Sequence, residues 1–335
     1  MLMKRVAAGI LAGLLSASLI AGCTGGGGKG DDSKKPAATP SAKVEMKGEP
    51  SSTFPFGNKT AKVFALEGPA AKEDFNFTGE RIVFANGAIY HHGEASDGKG
   101  GDIAGLYKLP LKGNAITGRE FVAKSDDGPD HRNLAASRGN VLFQLDEGGK
   151  LAIYDGKNIT KSDSKWKDDY DAMVGFAEGD GLLLVRSLDT ICTAKQELSD
   201  IKGVKEVVKD AREVLKLKDA GPMRPVYADA NELFVSCQVN ADDFTTDLFA
   251  FDKNGKPGLR YAGIKEDAAD WAVTKNYVVQ AGKDGAILIY ERKSGKKIHD
   301  AKARDLNPSY LCSMGGDMIL LYDDWNNKFC VLNLE

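Results

Sequence analysis

Short apolar runs, each only a few residues long and each cut off by a tight-turn dipeptide, constrain this chain more than any other feature. Ile82-Val83-Phe84, Val141-Leu142-Phe143, Leu182-Leu183-Leu184-Val185, Leu233-Phe234-Val235, Tyr277-Val278-Val279 and Met318-Ile319-Leu320-Leu321-Tyr322 are strand-like. Asn86-Gly87, Gly139-Asn140, Asp180-Gly181, Asn254-Gly255, Asp284-Gly285 and Gly315-Gly316 lie between them. Runs this short leave no room for a helix of ordinary length, and such dipeptides favour hairpins. The reading is all-β.

The runs also recur as units. Each unit opens with a mixed strand, turns tightly and continues with a more apolar strand. The first strands fall near residues 80, 133, 173, 225, 270 and 309. Repeats of this length with about four strands each are the signature of propeller blades. The expectation is a single β-propeller of about six blades over residues 54–335. The last unit supplies three strands, Ser309 to Ser313, Asp317 to Tyr322 and Lys328 to Leu334. An orphan strand at residues 61–66 is expected to complete that blade and join the two ends of the ring, because an open ring exposes a strand edge. One stretch departs from the pattern. In residues 199–216, Ile201, Val204, Val208, Ala211 and Leu215 recur at steps of three and four, which predicts a short amphipathic helix on the rim of the third blade.

Three units share a third-strand pattern: Leu151-Ala152-Ile153-Tyr154-Asp155-Gly156-Lys157, Leu248-Phe249-Ala250-Phe251-Asp252 running into Asn254-Gly255-Lys256, and Ile287-Leu288-Ile289-Tyr290-Glu291 running into Ser294-Gly295-Lys296. An apolar strand ending in an acidic residue, then a Gly-Lys turn, resembles the repeats of bacterial propellers of the pyrroloquinoline-quinone-like and YVTN types. Many quinone-type repeats close with a tryptophan three residues after the Gly-Lys pair. Thr160, Leu259 and His299 stand at those positions, so no cofactor is expected.

The amino terminus carries a second signal. Lys4 and Arg5 precede an apolar segment from Val6 to Leu15, and Leu19-Ile20-Ala21-Gly22 leads into Cys23. Basic, apolar and small-residue regions in that order make an export signal, and the segment is too short and too glycine-broken for a comfortable bilayer span. With Cys23 at its end it resembles a bacterial lipoprotein signal peptide over residues 1–22. The resemblance implies a diacylglyceryl group on the Cys23 thiol, cleavage ahead of it, and attachment to the membrane. Thr24 in place of an aspartate implies the outer membrane. Four glycines at 25–28 and prolines at 36, 40 and 50 mark residues 23–53 as a lipidated, disordered tether. With a propeller on such an anchor, the chain is similar to the propeller lipoprotein family of the outer-membrane β-barrel assembly machinery. That likeness implies an envelope protein partner.

Chemistry is sparser. The chain has 45 basic and 48 acidic residues and a net charge of -3, with no basic excess to attract nucleic acid and no polybasic run for anionic lipid. No GxSxG, HExxH, P-loop or Rossmann glycine set occurs. Cys192, Cys237, Cys312 and Cys330 lack the CxxC spacing of a zinc or redox site and read as buried thiols. Cys312 and Cys330 fall on strands separated by a third, beyond bridging distance. Histidines 91, 92, 131 and 299 read as surface or turn residues, and no metal site is expected. Acidic clusters at 125–130, 168–171, 242–243 and 323–324 read as turn formers. Position carries more. The loops entering the inner strands gather at one mouth of the central channel, where Asp130, Arg132, Asp171, Arg224, Asp270, Trp271 and Tyr310 are the expected ligand-binding residues. No catalytic residue is assigned. The expected function is a non-catalytic binding or scaffold lipoprotein of the cell envelope. The alternative is a hydrolase or lyase working at the channel mouth.

Overall fold

The computed structural model describes residues 44–335 apart from 73–76, 97–101, 125–133, 138, 146–149, 166–169, 178–180, 195–210, 218–220, 240–241, 243–244, 266–268, 304–305 and 324. The leader, Cys23 and most of the tether lie outside the described residues. The chain enters through β1 (Ser52–Phe56) and β2 (Lys59–Ala65). Blade 1 follows, with β3 (Phe77–Ala85), β4 (Ala88–Ser96), β5 (Asp102–Lys112) and an outer strand split into β6 (Ala115–Ile116) and β7 (Glu120–Lys124). Blade 2 is β8 (Leu134–Ser137), β9 (Asn140–Gln144), β10 (Lys150–Tyr154) and β11 (Ile159–Lys165). Blade 3 is β12 (Tyr170–Gly175), β13 (Leu182–Arg186), β14 (Thr190–Ala194) and β15 (Arg212–Lys216). Blade 4 is β16 (Met223–Ala228), β17 (Glu232–Gln238), β18 (Thr246–Asp252) and β19 (Pro257–Tyr261). Blade 5 is β20 (Asp270–Val273), β21 (Tyr277–Ala281), β22 (Ala286–Glu291) and β23 (Lys297–Lys302). Blade 6 is β24 (Tyr310–Gly315), β25 (Met318–Asp323) and β26 (Lys328–Asn333), completed by β2 and then β1.

The molecule is therefore a six-bladed β-propeller, and the six inner strands begin where the repeat placed them. The three motif-bearing segments are the third strands β10, β18 and β22. Six apolar clusters hold the ring together, one in each seam between neighbouring blades. Strand alternation produces them: along each strand, successive side chains face opposite seams, so a blade must be apolar on both faces. Close approach of the inner strands also demands small residues. A Cβ on Gly175 of β12 would lie 2.2 Å from the Ala136 carbonyl of β8.

Because strands alternate, the ring has two distinct ends. At the entry end each inner strand begins. At the exit end lie the turns between first and second strands and those between third and fourth. In blade 1 these two turns touch, with the Leu111 N–H donating to the Gly87 carbonyl at 2.9 Å.

Closure occurs as the orphan strand predicts. β2 pairs antiparallel with β26, Val63 opposite Leu332 and Phe64 opposite Val331, and Val63, Phe64 and Leu66 are buried. The sequence did not reveal β1. It adds a fifth strand whose Phe56 meets Tyr277 edge-on and whose Phe54 packs on His299 of blade 5. The ordered body starts earlier than residue 54: Val44 and Met46 pack against the blade 6–1 seam, and the Lys47 N–H donates to Asn114 Oδ1 at 2.9 Å.

Two other expectations are corrected. Residues 212–216 form the outer strand β15, not a helix; 195–210 lie outside the described residues. A bulge explains the misleading spacing: Ile191 pairs with Leu215 but Cys192 pairs with Glu213, so Val214 is an extra residue. It turns both Val214 and Leu215 toward the blade 3–4 seam. His91 and His92 are fully buried on β4, and His91 stacks on Tyr107. Burial pulls the His91 pKa down to about 4. Its Nδ1 lies 3.0 Å from the His92 carbonyl, and the neutral ring serves as an aromatic core side chain against Tyr107. The four described cysteines are free, and Cys312 and Cys330 sit on β24 and β26 with β25 between them.

Candidate functional site

A cavity of about 980 Å³ runs along the ring axis and is lined by residues of all six inner strands. Among the described residues, the charged groups near its entry end are Arg81, Arg224 and Asp270. Arg81 reaches out of β3 across the channel. Its guanidinium donates to the Met173 carbonyl of blade 3 at 2.5 Å and to the Pro225 carbonyl of blade 4 at 2.7 Å. The inner strands are irregular where this happens. The β3–β4 ladder slips between Phe77 and Ile82, and the β16–β17 ladder bulges between Pro225 and Tyr227. Bulges re-aim side chains and free carbonyls from the ladder.

Asp270 opens β20. Its carboxylate accepts the N–H of Trp271 and, across the seam, the N–H of Leu311 on β24, each at 2.8 Å. Burial pushes its pKa above the ordinary value; the two N–H bonds and the fields of Arg81 and Arg224 pull the other way. Cys312 also faces this region, and burial raises its thiol pKa strongly, with the Asp270 carboxylate adding to the effect. It is the protonated thiol at neutral pH and no nucleophile. Arg224 is exposed to the channel.

Four of the seven expected ligand-binding residues have described side chains, and they are placed differently. Arg224 and Asp270 line the channel. Trp271 borders it too. It is buried in the blade 4–5 seam, and its indole N–H donates to Thr246 Oγ1 at 3.2 Å. Strand alternation dictates this, since Asp270 turns toward blade 6, where the Leu311 N–H meets it, and its neighbour turns toward blade 4. Tyr310 stacks on Tyr322 with ring centroids 6.4 Å apart and packs toward the blade 6–1 seam rather than lining the cavity. Asp130 and Arg132 lie outside the described residues, as does the side chain of Asp171. Arg81 was missed. It sits at the head of the apolar run Ile82-Val83-Phe84, where it reads as an ordinary strand residue, and only its place at the start of an inner strand marks it.

The exit end carries a different set. Arg292 is buried and bonded to Asp229 at 2.5 Å, to Glu232 at 2.8 Å and to the Thr274 carbonyl at 3.1 Å, with its guanidinium over Tyr227 and Phe234. Asp317 accepts from the Thr274 hydroxyl, the Asn276 N–H and the Asn276 side-chain amide at 2.7–2.9 Å. These groups tie blade 4 to blade 5 and blade 5 to blade 6. Among the described residues, no three His, Cys, Asp or Glu side chains gather so as to hold a metal ion.

No protein-family model matches the chain, and no curated protein matches it in sequence. Among solved structures it is similar to a structural-genomics protein of unknown function from Bacteroides thetaiotaomicron, at 13% identity and a TM-score of 0.52, over 82% of this chain and 76% of that one. A computationally designed protein, Ika8, matches at 10% identity and a TM-score of 0.46, over 78% of this chain and 97% of that one. The first likeness supports the fold alone.

Proposed function

We propose that this chain is a lipid-anchored lipoprotein of the cell envelope, held at the outer membrane through Cys23, and that its propeller is a non-catalytic binding module with the entry half of the channel as its ligand site. The observation that carries the binding reading is the way the channel groups are held. Asp270 is fixed by two backbone N–H groups and Arg81 by two backbone carbonyls, so charged groups stand preorganised around an open cavity at no further ordering cost. The anchor reading rests on the leader and Cys23. An envelope protein partner fits the same reading, since propellers commonly act as scaffolds.

The enzyme alternative draws on one observation, the raised pKa of Asp270 beside two arginines in a cleft. Geometry weighs against it. Each carboxylate oxygen of Asp270 already accepts a backbone N–H, which suits an orienting group better than one that must shuttle a proton. Two experiments test the proposal. Mass analysis of the amino-terminal peptide should show an acylated Cys23, and Cys23→Ser should move the protein from the membrane to the soluble fraction. Crosslinking of the anchored protein in whole envelopes, followed by capture, should recover a partner or a bound small molecule; recovery of neither under several crosslinkers contradicts the binding role.

A further inference from the structure

The motif that the channel leaves unexplained is the Gly-Lys turn. Topology puts every turn between third and fourth strands at the exit end, and the described ones carry exposed lysines: Lys112 in blade 1, Lys157 in blade 2, Lys253 and Lys256 in blade 4, and Lys293 and Lys296 in blade 5. In the closing blade Lys59 takes the equivalent place between β1 and β2. The acids of these turns point differently. Asp155 accepts the backbone N–H groups of Lys157 and Asn158, and Asp252 those of Asn254 and Lys256, at 2.7–2.9 Å. These bonds hold both carboxyls below their usual pKa and fold them onto the turn backbone, with the fields of Lys157, Lys253 and Lys256 adding to the effect, and the lysines are exposed. Glu291 and Glu335 are exposed at this end as well, but Glu291 is tied to Ser294 Oγ. No polybasic run exists in the sequence; the ring builds a crown of lysines from one or two in each blade whose turn is described.

The amino-terminal segment joins the body beside one of these turns. Lys47 and Asn114 bond to each other twice, backbone N–H to side-chain oxygen and side-chain amide to backbone carbonyl, and Asn114 lies in the third-to-fourth-strand turn of blade 1. Twenty residues separate Cys23 from Val44, a length for which the flexible-chain relation gives about 25 Å root-mean-square. A chain that short keeps the exit end within reach of whatever holds Cys23, and exposed lysines near an anionic bilayer are each attracted to it. We infer that the lysine crown of the exit end is a docking surface for anionic phospholipid headgroups, which turns the entry mouth of the channel away from the membrane. The choice of a membrane as the partner rests on the anchored reading above.

The test uses the whole mature chain carrying Cys23→Ser, so that no acyl group contributes, and co-sedimentation with vesicles of phosphatidylcholine alone or mixed with phosphatidylglycerol. The surface predicts at least about tenfold more binding to the anionic vesicles, lost in high salt. Changing Lys112, Lys157, Lys256, Lys293 and Lys296 together to Glu should abolish that preference. Changing Lys124, Lys150, Lys216, Lys265 and Lys302 to Glu alters net charge equally at the entry end and should leave most of it. All ten lie on the surface, and equal melting temperatures confirm that both variants fold. Equal losses in the two variants, no preference for anionic vesicles, or binding to polyphosphate without binding to vesicles would each overturn the inference. The anchor is judged separately by the mass of the wild-type amino-terminal peptide: an acylated Cys23 with no vesicle preference defeats the surface alone, and an unmodified Cys23 defeats the anchor while a face-specific vesicle preference still supports the surface.

Discussion

Arg81 and Arg292 are both withdrawn into the ring, at opposite ends, and they are held in different ways. Arg292 is consumed by its surroundings: two carboxylates, a carbonyl and two aromatic faces meet its charge and its donors. Arg81 hangs across an open cavity on the carbonyls of Met173 and Pro225. The first arrangement fastens blades 4 and 5. The second reaches from blade 1 to blades 3 and 4 and stands in the open cavity. A buried charge is weak evidence of function by itself; what surrounds it decides whether it is a rivet or a site.

The comparison can be broken most severely at the closing seam, which joins the two ends of the chain. Deleting residues 52–66 removes Val63, Phe64 and Leu66 from two seams and opens a strand edge on β26. Each lost large side chain costs about 2–5 kcal/mol against a total of about 5–15. The truncated chain should aggregate or be cut rapidly by protease, whereas deleting residues 24–43 should leave the melting temperature unchanged. Next comes the rivet. Arg292→Ala strands Asp229 and Glu232 without their cation and should cost about 3–5 kcal/mol in denaturant unfolding. A cost under 1 kcal/mol would show that Arg292 fastens nothing.

Those seams were partly legible in the sequence and the site much less so. Turn dipeptides and apolar runs located every inner strand, because a propeller repeats one local rule. The orphan strand at 61–66 was found by asking where the last blade obtains a fourth strand. Strand β1 escaped because Ser52-Thr53-Phe54-Pro55-Phe56 contains a proline and adjoins the tether; only its edge position makes that proline tolerable. The outer strand β15 escaped because its bulge turns the adjacent Val214 and Leu215 toward one seam, which breaks the alternation by which a strand is read. At the channel, loop position alone does not tell which way a side chain turns; strand alternation decides that. Asp270 borders the cavity, whereas the Trp271 indole and the Tyr310 ring pack into seams. Arg81 needed knowledge of which strand residue faces the axis, and bulges blur that phase.

Burial of His91 gives a prediction of intermediate size. Its folded pKa lies near 4, below the usual value of 6.5. At neutral pH both states are unprotonated and the group is silent. As pH falls below 6.5 the unfolded chain takes up a proton that the folded chain refuses, so stability drops through that window and levels off below about 4, by about 3 kcal/mol in all. His91→Phe keeps the stack on Tyr107 and should flatten that part of the stability-pH curve; an unchanged slope would mean the ring is protonated in the fold. The smallest structural effect belongs to the other arginine. Arg81→Met should cost only about 1–3 kcal/mol, the loss of hydrogen bonds to two carbonyls. A cost as large as that of Arg292→Ala would erase the distinction between them.

The claim that the entry half of the channel is the binding site is tested most directly by native mass spectrometry of the mature protein purified from its own cell envelope. The account predicts a bound small molecule on the wild-type chain, and its loss in Arg224→Met while the melting temperature holds, since Arg224 is exposed to the channel and outside the seams. A wild-type chain that carries nothing, or an Arg224→Met chain that keeps its ligand in full, would contradict it.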